Sequence, residues 1–158
     1  MKNLKQLLER MEYTLMQGKL DREITELIYD SRKAAEGALF VCVKGTAVDG
    51  HTFAGEVAGK GAAALVVQED VDVPEHVTVI RVEDTREALA FLSAAWFDYP
   101  ADSLKVIGVT GTKGKTTTTY MVKSILESAG YRVGLIGTIE AVIGDTHIPA
   151  ANTTPESY

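Results

Sequence analysis

Val106-Ile107-Gly108-Val109-Thr110-Gly111-Thr112-Lys113-Gly114-Lys115-Thr116-Thr117-Thr118 is the stretch on which the reading of this chain turns. Lys105–Thr110 is an apolar run with the character of a strand, and Gly111–Gly114 is a glycine-flanked loop. Lys115–Ala129 then reads as a helix closed by Gly130 just past its end. Glycine at 111 and 114 permits backbone angles and a close approach that a Cβ would block. Successive N–H groups then face inward, and the start of a helix adds unpaired donors and the positive end of its dipole. A lysine at 115 can reach the outer phosphates of a bound nucleotide, and a hydroxyl at 116 can face Mg²⁺. The strict phosphate-loop pattern wants glycine five positions before Gly114, where this chain has Val109, with Gly108 one residue off. The sequence therefore predicts a nucleotide-phosphate site at Gly111, Thr112, Lys113, Gly114, Lys115, Thr116 and Thr117, with Lys115 as the catalytic candidate and Thr116 on the metal.

Downstream, Arg132–Ile136 reads as a second apolar strand, and Ile139–Ile143, Gly144-Asp145 and Thr146–Ile148 as a hairpin. The chain then reaches Asn152-Thr153-Thr154-Pro155-Glu156, by itself a loop before a helix. One strand–loop–helix plus a further strand cannot form a sheet covered on both faces, so this half reads as a fragment of a longer enzyme.

Upstream lies a different unit. Tyr99-Pro100-Ala101-Asp102-Ser103 is short, polar and proline-bearing, and marks a linker between residues 1–100 and 104–158. Leu4, Leu7, Leu8 and Met11 repeat at helical spacing. Glu26–Asp30, Ala38–Val43, Ala62–Val67 and Val77–Val82 read as strands, and Phe53–Ala58 as a helix stopping at Gly59 and Gly61. Asp84 with Glu87 caps a helix through Leu89, Leu92 and Trp96, which Pro100 should end. Short strands alternating with single helices predict an α/β layer domain with a small mixed sheet.

The 158 residues are 46% apolar and 24% charged, ordinary for a globular protein. Lys plus Arg number 16 against 22 Asp plus Glu, a net charge of −6 that argues against nucleic acid as a partner. The excess acid lies before residue 105, so the phosphate-loop half stays hospitable to an anion. Cys42 is the only cysteine, which excludes an internal disulfide and a cysteine-rich zinc site; its apolar neighbours make it a small core residue. No run is long enough to span a bilayer and no signal-peptide pattern opens the chain, so a cytoplasmic monomer with no membrane partner is expected. His51 reads as a cap or surface residue, and His76 and His147 as isolated.

Thr110-Gly111-Thr112-Lys113-Gly114-Lys115-Thr116-Thr117-Thr118 resembles the ATP loop of the Mur ligases. Gly134-Leu135-Ile136-Gly137-Thr138 and Asn152-Thr153-Thr154-Pro155-Glu156 resemble their MurE branch. Asp30-Ser31-Arg32, Gly37–Val41 and Val43–Phe53 resemble its uridine-nucleotide domain, so the likeness runs the length of the chain in order. Lys113 departs from the asparagine common in the family loop, a change compatible with phosphate binding.

The resemblance implies a uridine-nucleotide-binding domain followed by the start of a P-loop ATPase-like central domain. The implied activity is an ATP-dependent ligase of peptidoglycan synthesis that phosphorylates a carboxylate of UDP-MurNAc-L-Ala-D-Glu. The amine of a third amino acid then displaces the phosphate. It implies that Ser31, Lys44, Thr46 and Ala47 line the uridine end, with Gly45 admitting a close backbone approach. It implies too that Asn152, Thr153 and Thr154 hold the muramyl or peptide portion. Without it, Asp30-Ser31-Arg32 is a plain turn held by local side-chain bonds. The competing reading is a non-catalytic module that binds a UDP-sugar and keeps a residual phosphate loop. The family's further magnesium-binding segments and amino-acid-binding domain are not in these 158 residues, so the chain alone is expected to be inactive.

Overall fold

Leu39, Phe40 and Val41, like Ala64 to Val67, carry no polar side chain on either face, and such runs belong in the middle of a parallel sheet. The computed structural model, which describes residues 1–45, 48–150 and 158, places them there. It divides into two compact units, one formed by Met1–Leu104 and one from Lys105 onward. The first holds β1 (Lys2–Asn3), α1 (Leu4–Leu7), β2 (Thr14–Gln17), β3 (Glu23–Ile24), β4 (Leu27–Ile28) and β5 (Leu39–Val41). It continues with α2 (Ala54–Gly59), β6 (Ala64–Val67), β7 (Thr78–Arg81) and α3 (Thr85–Trp96).

A five-stranded sheet runs in the order β2-β7-β6-β5-β4. β4, β5, β6 and β7 pair in parallel, and β2 closes the edge antiparallel to β7. Side chains alternate between its faces. Leu39, Val41, Ala64, Val66 and Ile80 join Leu4, Leu7, Leu8, Leu89 and Leu92 on one side. Phe40, Cys42, Leu65, Val67 and Val79 join Ala54, Val57 and Ala58 on the other. Because the four parallel strands point the same way, every loop leaving their carboxyl ends emerges on one rim. In open α/β sheets that rim is where ligands bind.

Asp84 caps α3 as expected, its carboxylate accepting from the N–H groups of Arg86 and Glu87. The helix ends at Trp96, the last residue of the expected run, and Asp98 and Tyr99 beyond it adopt left-handed angles (φ 59° and 52°) before Pro100 is reached. Pro100 then opens a 3₁₀ turn, Pro100–Ser103.

The second unit contains α4 (Lys115–Ser128), β8 (Gly134–Ile136), β9 (Glu140–Ile143) and β10 (Thr146–Pro149). Its strands form an antiparallel sheet in the order β10-β9-β8, with Gly144-Asp145 as the expected two-residue turn. Gly130 (φ 88°) ends α4, its N–H donating to Glu127 O while Tyr131 N–H donates to Leu126 O. This pair of bonds is the Schellman closure that glycine at C′ favours. One expectation fails here. Residues 105–110 form no strand, with Val106 and Ile107 exposed by 75% and 63%. A strand exists by pairing, and among the described residues nothing lies alongside this run to receive its hydrogen bonds.

Candidate functional site

Two groups of residues carry polar chemistry, one in each unit. In the first unit they sit on the carboxyl rim of the sheet. The crossover leaving β4 winds into a 3₁₀ turn, Ser31–Lys33, which Asp30 caps by accepting from Arg32 N–H. The same carboxylate takes the Arg32 guanidinium at 2.6–3.1 Å. Those bonds, the side-chain one above all, hold the Asp30 carboxyl down at about 2. The turn reading and the ligand reading of Asp30-Ser31-Arg32 are thus compatible, since the turn fixes the backbone that presents Ser31. Ser31 O lies 3.4 Å from Lys60 Nζ.

From the next strand, β5, the chain passes Cys42 and Val43 to Lys44, which forms an antiparallel bridge with Asp49, and Gly45 N–H donates to Val48 O at 3.0 Å. The Lys44 ammonium pairs with Glu69, just past β6, and this contact first, with Asp49 adding to it, raises the lysine further. Gly50 returns against the strand end: a Cβ there would stand 2.8 Å from Val43 N, so only glycine fits. Burial pushes the Cys42 thiol up to about 12, with Asp49 adding to it, which leaves it inert. Ser31 and Lys44 therefore follow the ends of adjacent parallel strands. Thr46, Ala47, Asn152, Thr153 and Thr154 lie outside the described residues.

In the second unit Gly114 stands in the left-handed region (φ 78°, ψ −4°), where a side chain would be strained, and opens α4 directly. The first intrahelical bond runs from Thr118 N–H to Gly114 O at 2.9 Å. The N–H groups of Lys115, Thr116 and Thr117 consequently have no acceptor in the helix, and Gly114 offers no side chain to cap them. The first turn also carries no acid. The contrast with α3, whose donors Asp84 satisfies, is direct. Lys115 folds back so that its ammonium donates to Gly111 O at 2.5 Å, placing the charge over the loop. Thr116 Oγ1 lies 3.4 Å from Thr138 Oγ1, beyond β8. Thr112 and Lys113 are exposed in the loop itself. The arrangement gathers three main-chain donors, one ammonium and one hydroxyl, a set suited to a polyphosphate.

Among the described residues no three His, Cys, Asp or Glu side chains are grouped to hold a metal. A divalent ion at Thr116 would accordingly take its other oxygens from phosphate and water, as Mg²⁺ commonly does. No described helix is long and apolar enough to cross a membrane.

Sequence reasoning missed three partners. Glu69 and Gln68 carry no motif of their own, yet they meet Lys44 and His51. His51 caps with Asp49 but is not a surface residue, its side chain being only 8% exposed. His147 is not isolated either: Nδ1 lies 2.8 Å from Glu140, which also accepts from the Tyr120 hydroxyl at 2.5 Å. The Tyr120 bond first, then His147, lowers the Glu140 carboxyl. The Lys44–Glu69 and His51–Gln68 contacts join residues brought together by the pairing of β5 with β6, which no local pattern encodes.

The class of protein follows from comparison with known families. The Mur ligase family catalytic domain matches residues 23–97, and the Mur ligase middle domain matches residues 109–158. The chain belongs to the Mur ligase family. Among curated relatives, the UDP-N-acetylmuramoyl-L-alanyl-D-glutamate–2,6-diaminopimelate ligase of Clostridium perfringens is 52% identical over 155 residues, 98% of this chain and 32% of that protein. The enzyme of the same name from Bacillus velezensis is 50% identical over 137 residues, 87% of this chain and 28% of the relative. The chain thus spans about a third of the length of the relatives it matches. Of solved structures, MurF from Acinetobacter baumannii superposes with a TM-score of 0.61 at 33% identity, over 80% of this chain and 27% of that one. MurF from Thermotoga maritima in complex with ADP gives 0.52 at 31%, over 74% and 25%. A structure of the diaminopimelate ligase gives 0.71 at 21%, over 96% and 30%, a likeness of fold.

Proposed function

We propose that these residues are the nucleotide-sugar domain and the ATP loop of a MurE-type ligase, a cytoplasmic monomer of peptidoglycan precursor synthesis. The whole enzyme would join 2,6-diaminopimelate, the amino acid in its relatives' names, to UDP-MurNAc-L-Ala-D-Glu. The observation that carries the reading is the left-handed, uncapped start of α4 with Lys115 turned over it. That geometry suits the triphosphate of ATP and has no structural purpose of its own, since an ordinary cap would stabilise the helix better.

A carboxylate is a poor electrophile, because its own negative charge repels an incoming amine. Transfer of the terminal phosphoryl group to one carboxylate oxygen supplies a leaving group. The amine nitrogen then forms the C–N bond as the C–O bond to phosphate breaks. Lys115 and the N–H groups of residues 115–117 would meet the charge that builds on the phosphoryl oxygens. Gly111, Thr112, Lys113 and Gly114 would wrap the inner phosphates. Mg²⁺, held on the protein side by Thr116, would supply further neutralisation of that charge. Ser31, Lys44, Thr46 and Ala47 would take the uridine end, and Asn152, Thr153 and Thr154 the muramyl-peptide end.

Titration calorimetry of the 158-residue protein tests the reading. Separate binding heats for UDP-MurNAc-L-Ala-D-Glu and for Mg-ATP are expected. Heat from the UDP ligand alone would favour a non-catalytic binding module, and heat from neither would defeat the assignment.

A further inference from the structure

The substrate reading leaves His51, an imidazole of the first unit whose side chain is only 8% exposed, without a task. Both of its ring nitrogens are engaged. Nδ1 lies 2.6 Å from the Asp49 carboxylate, and Nε2 accepts the main-chain N–H of Gln68 at 2.9 Å. A carboxylate on one side and an N–H donor on the other set the tautomer, with the proton on Nδ1. No lone pair remains to ligate a metal or to take a proton from a substrate.

These two bonds connect two rim segments. Asp49 is bridged to Lys44 and caps the 3₁₀ turn Gly50–Phe53. Gln68 is the first residue beyond β6. Its own amide donates to Glu83 O at 2.9 Å and accepts from the Thr85 hydroxyl at 2.7 Å, reaching the start of α3. The bridged pair thus has a short covalent route to β5 and a second, non-covalent anchor through the imidazole to the neighbouring strands.

We infer that His51 is a positioning residue of the uridine-nucleotide site, holding the bridged pair Lys44 and Asp49 in register with the carboxyl end of β6. The inference rests on the reading of Ser31, Lys44 and their neighbours as that site. His51 itself touches no ligand in this scheme. It acts by keeping Asp49, and through it the Lys44 backbone, in the geometry the ligand meets.

The test uses the 158-residue protein with His51→Ala, His51→Asn and His51→Gln. Asparagine keeps a donor for Asp49 alone, and glutamine keeps an acceptor for Gln68 alone. In H51A the affinity for UDP-MurNAc-L-Ala-D-Glu should fall about tenfold, as expected for the loss of two hydrogen bonds that orient a loop, while Mg-ATP affinity is unchanged. H51N and H51Q should each recover part of the loss. Amide exchange at Gly45 and Gly50 should quicken about tenfold in H51A, while Cys42 and Ala63, bonded to the sheet, keep wild-type protection. Wild-type affinity in H51A overturns the inference. So does a loss matched by faster exchange throughout the sheet, which marks a general folding defect; if H51A does not fold, the same comparison is read from H51N and H51Q. A wild-type protein that takes up no UDP ligand defeats the site assignment itself, a result distinct from an indifferent H51A.

Discussion

Lys115 concentrates the chemistry of the second unit in one side chain. Its ammonium is exposed and already turned toward Gly111 O, so a phosphate has only to replace one carbonyl contact. Lys115→Ala should weaken Mg-ATP binding by at least about tenfold, the scale of a lost charge-assisted contact, and leave the heat with UDP-MurNAc-L-Ala-D-Glu untouched. Cys42 illustrates the opposite case, a residue whose environment silences it. With the folded thiol held up at about 12, the native protein keeps that proton over a range in which the unfolded chain has lost it. Stability should therefore be unaffected by this group below about pH 9 and decline as pH rises from there toward 12, by at most about 1.4 kcal/mol per pH unit. Urea unfolding of the wild type and of Cys42→Ala across that range checks the sign, since the variant lacks this component. The character of both residues was legible from their neighbours: a lysine after Gly114, a cysteine between Val41 and Val43. His51 was not, because the imidazole's second partner, Gln68, stands 17 residues away.

At the level of elements, local chemistry was a good guide wherever the element is self-contained. α3 begins where Asp84 says it should, α4 ends where Gly130 says it should, and Gly144-Asp145 turns the hairpin. Asp84→Ala removes the acceptor for two N–H groups and should cost about 1 kcal/mol, measured as a lower urea midpoint for the first unit. The misreading of 105–110 has a physical cause: an apolar run carries no record of whether another strand will pair with it. The site followed the same division. The loop before Lys115 and the helix that follows it are one contiguous stretch whose geometry could be read locally, whereas the Lys44–Glu69 and His51–Gln68 contacts exist only once β5 and β6 lie side by side.

For the molecule as a whole, the relevant measure is the share of its relatives that it spans, 32% of the Clostridium perfringens enzyme. Residues 1–158 hold the proposed sites for a nucleotide sugar and a triphosphate but no counterpart of the rest of those relatives. Incubated with Mg-ATP, UDP-MurNAc-L-Ala-D-Glu and diaminopimelate, the purified 158-residue protein should release no inorganic phosphate above the no-enzyme rate in a colorimetric assay. Turnover would mean that the chemistry needs far less of the ligase than the family length suggests. The parallel order of β4, β5 and β6 has one more consequence. Ser31, Lys44 and Gln68 each grow from a different strand, and those strands become neighbours only when the sheet assembles. If the proposed site is right, recognition of a sugar nucleotide would be an emergent property of the finished layer, and a synthetic peptide covering 29–53 should have no measurable grip on it.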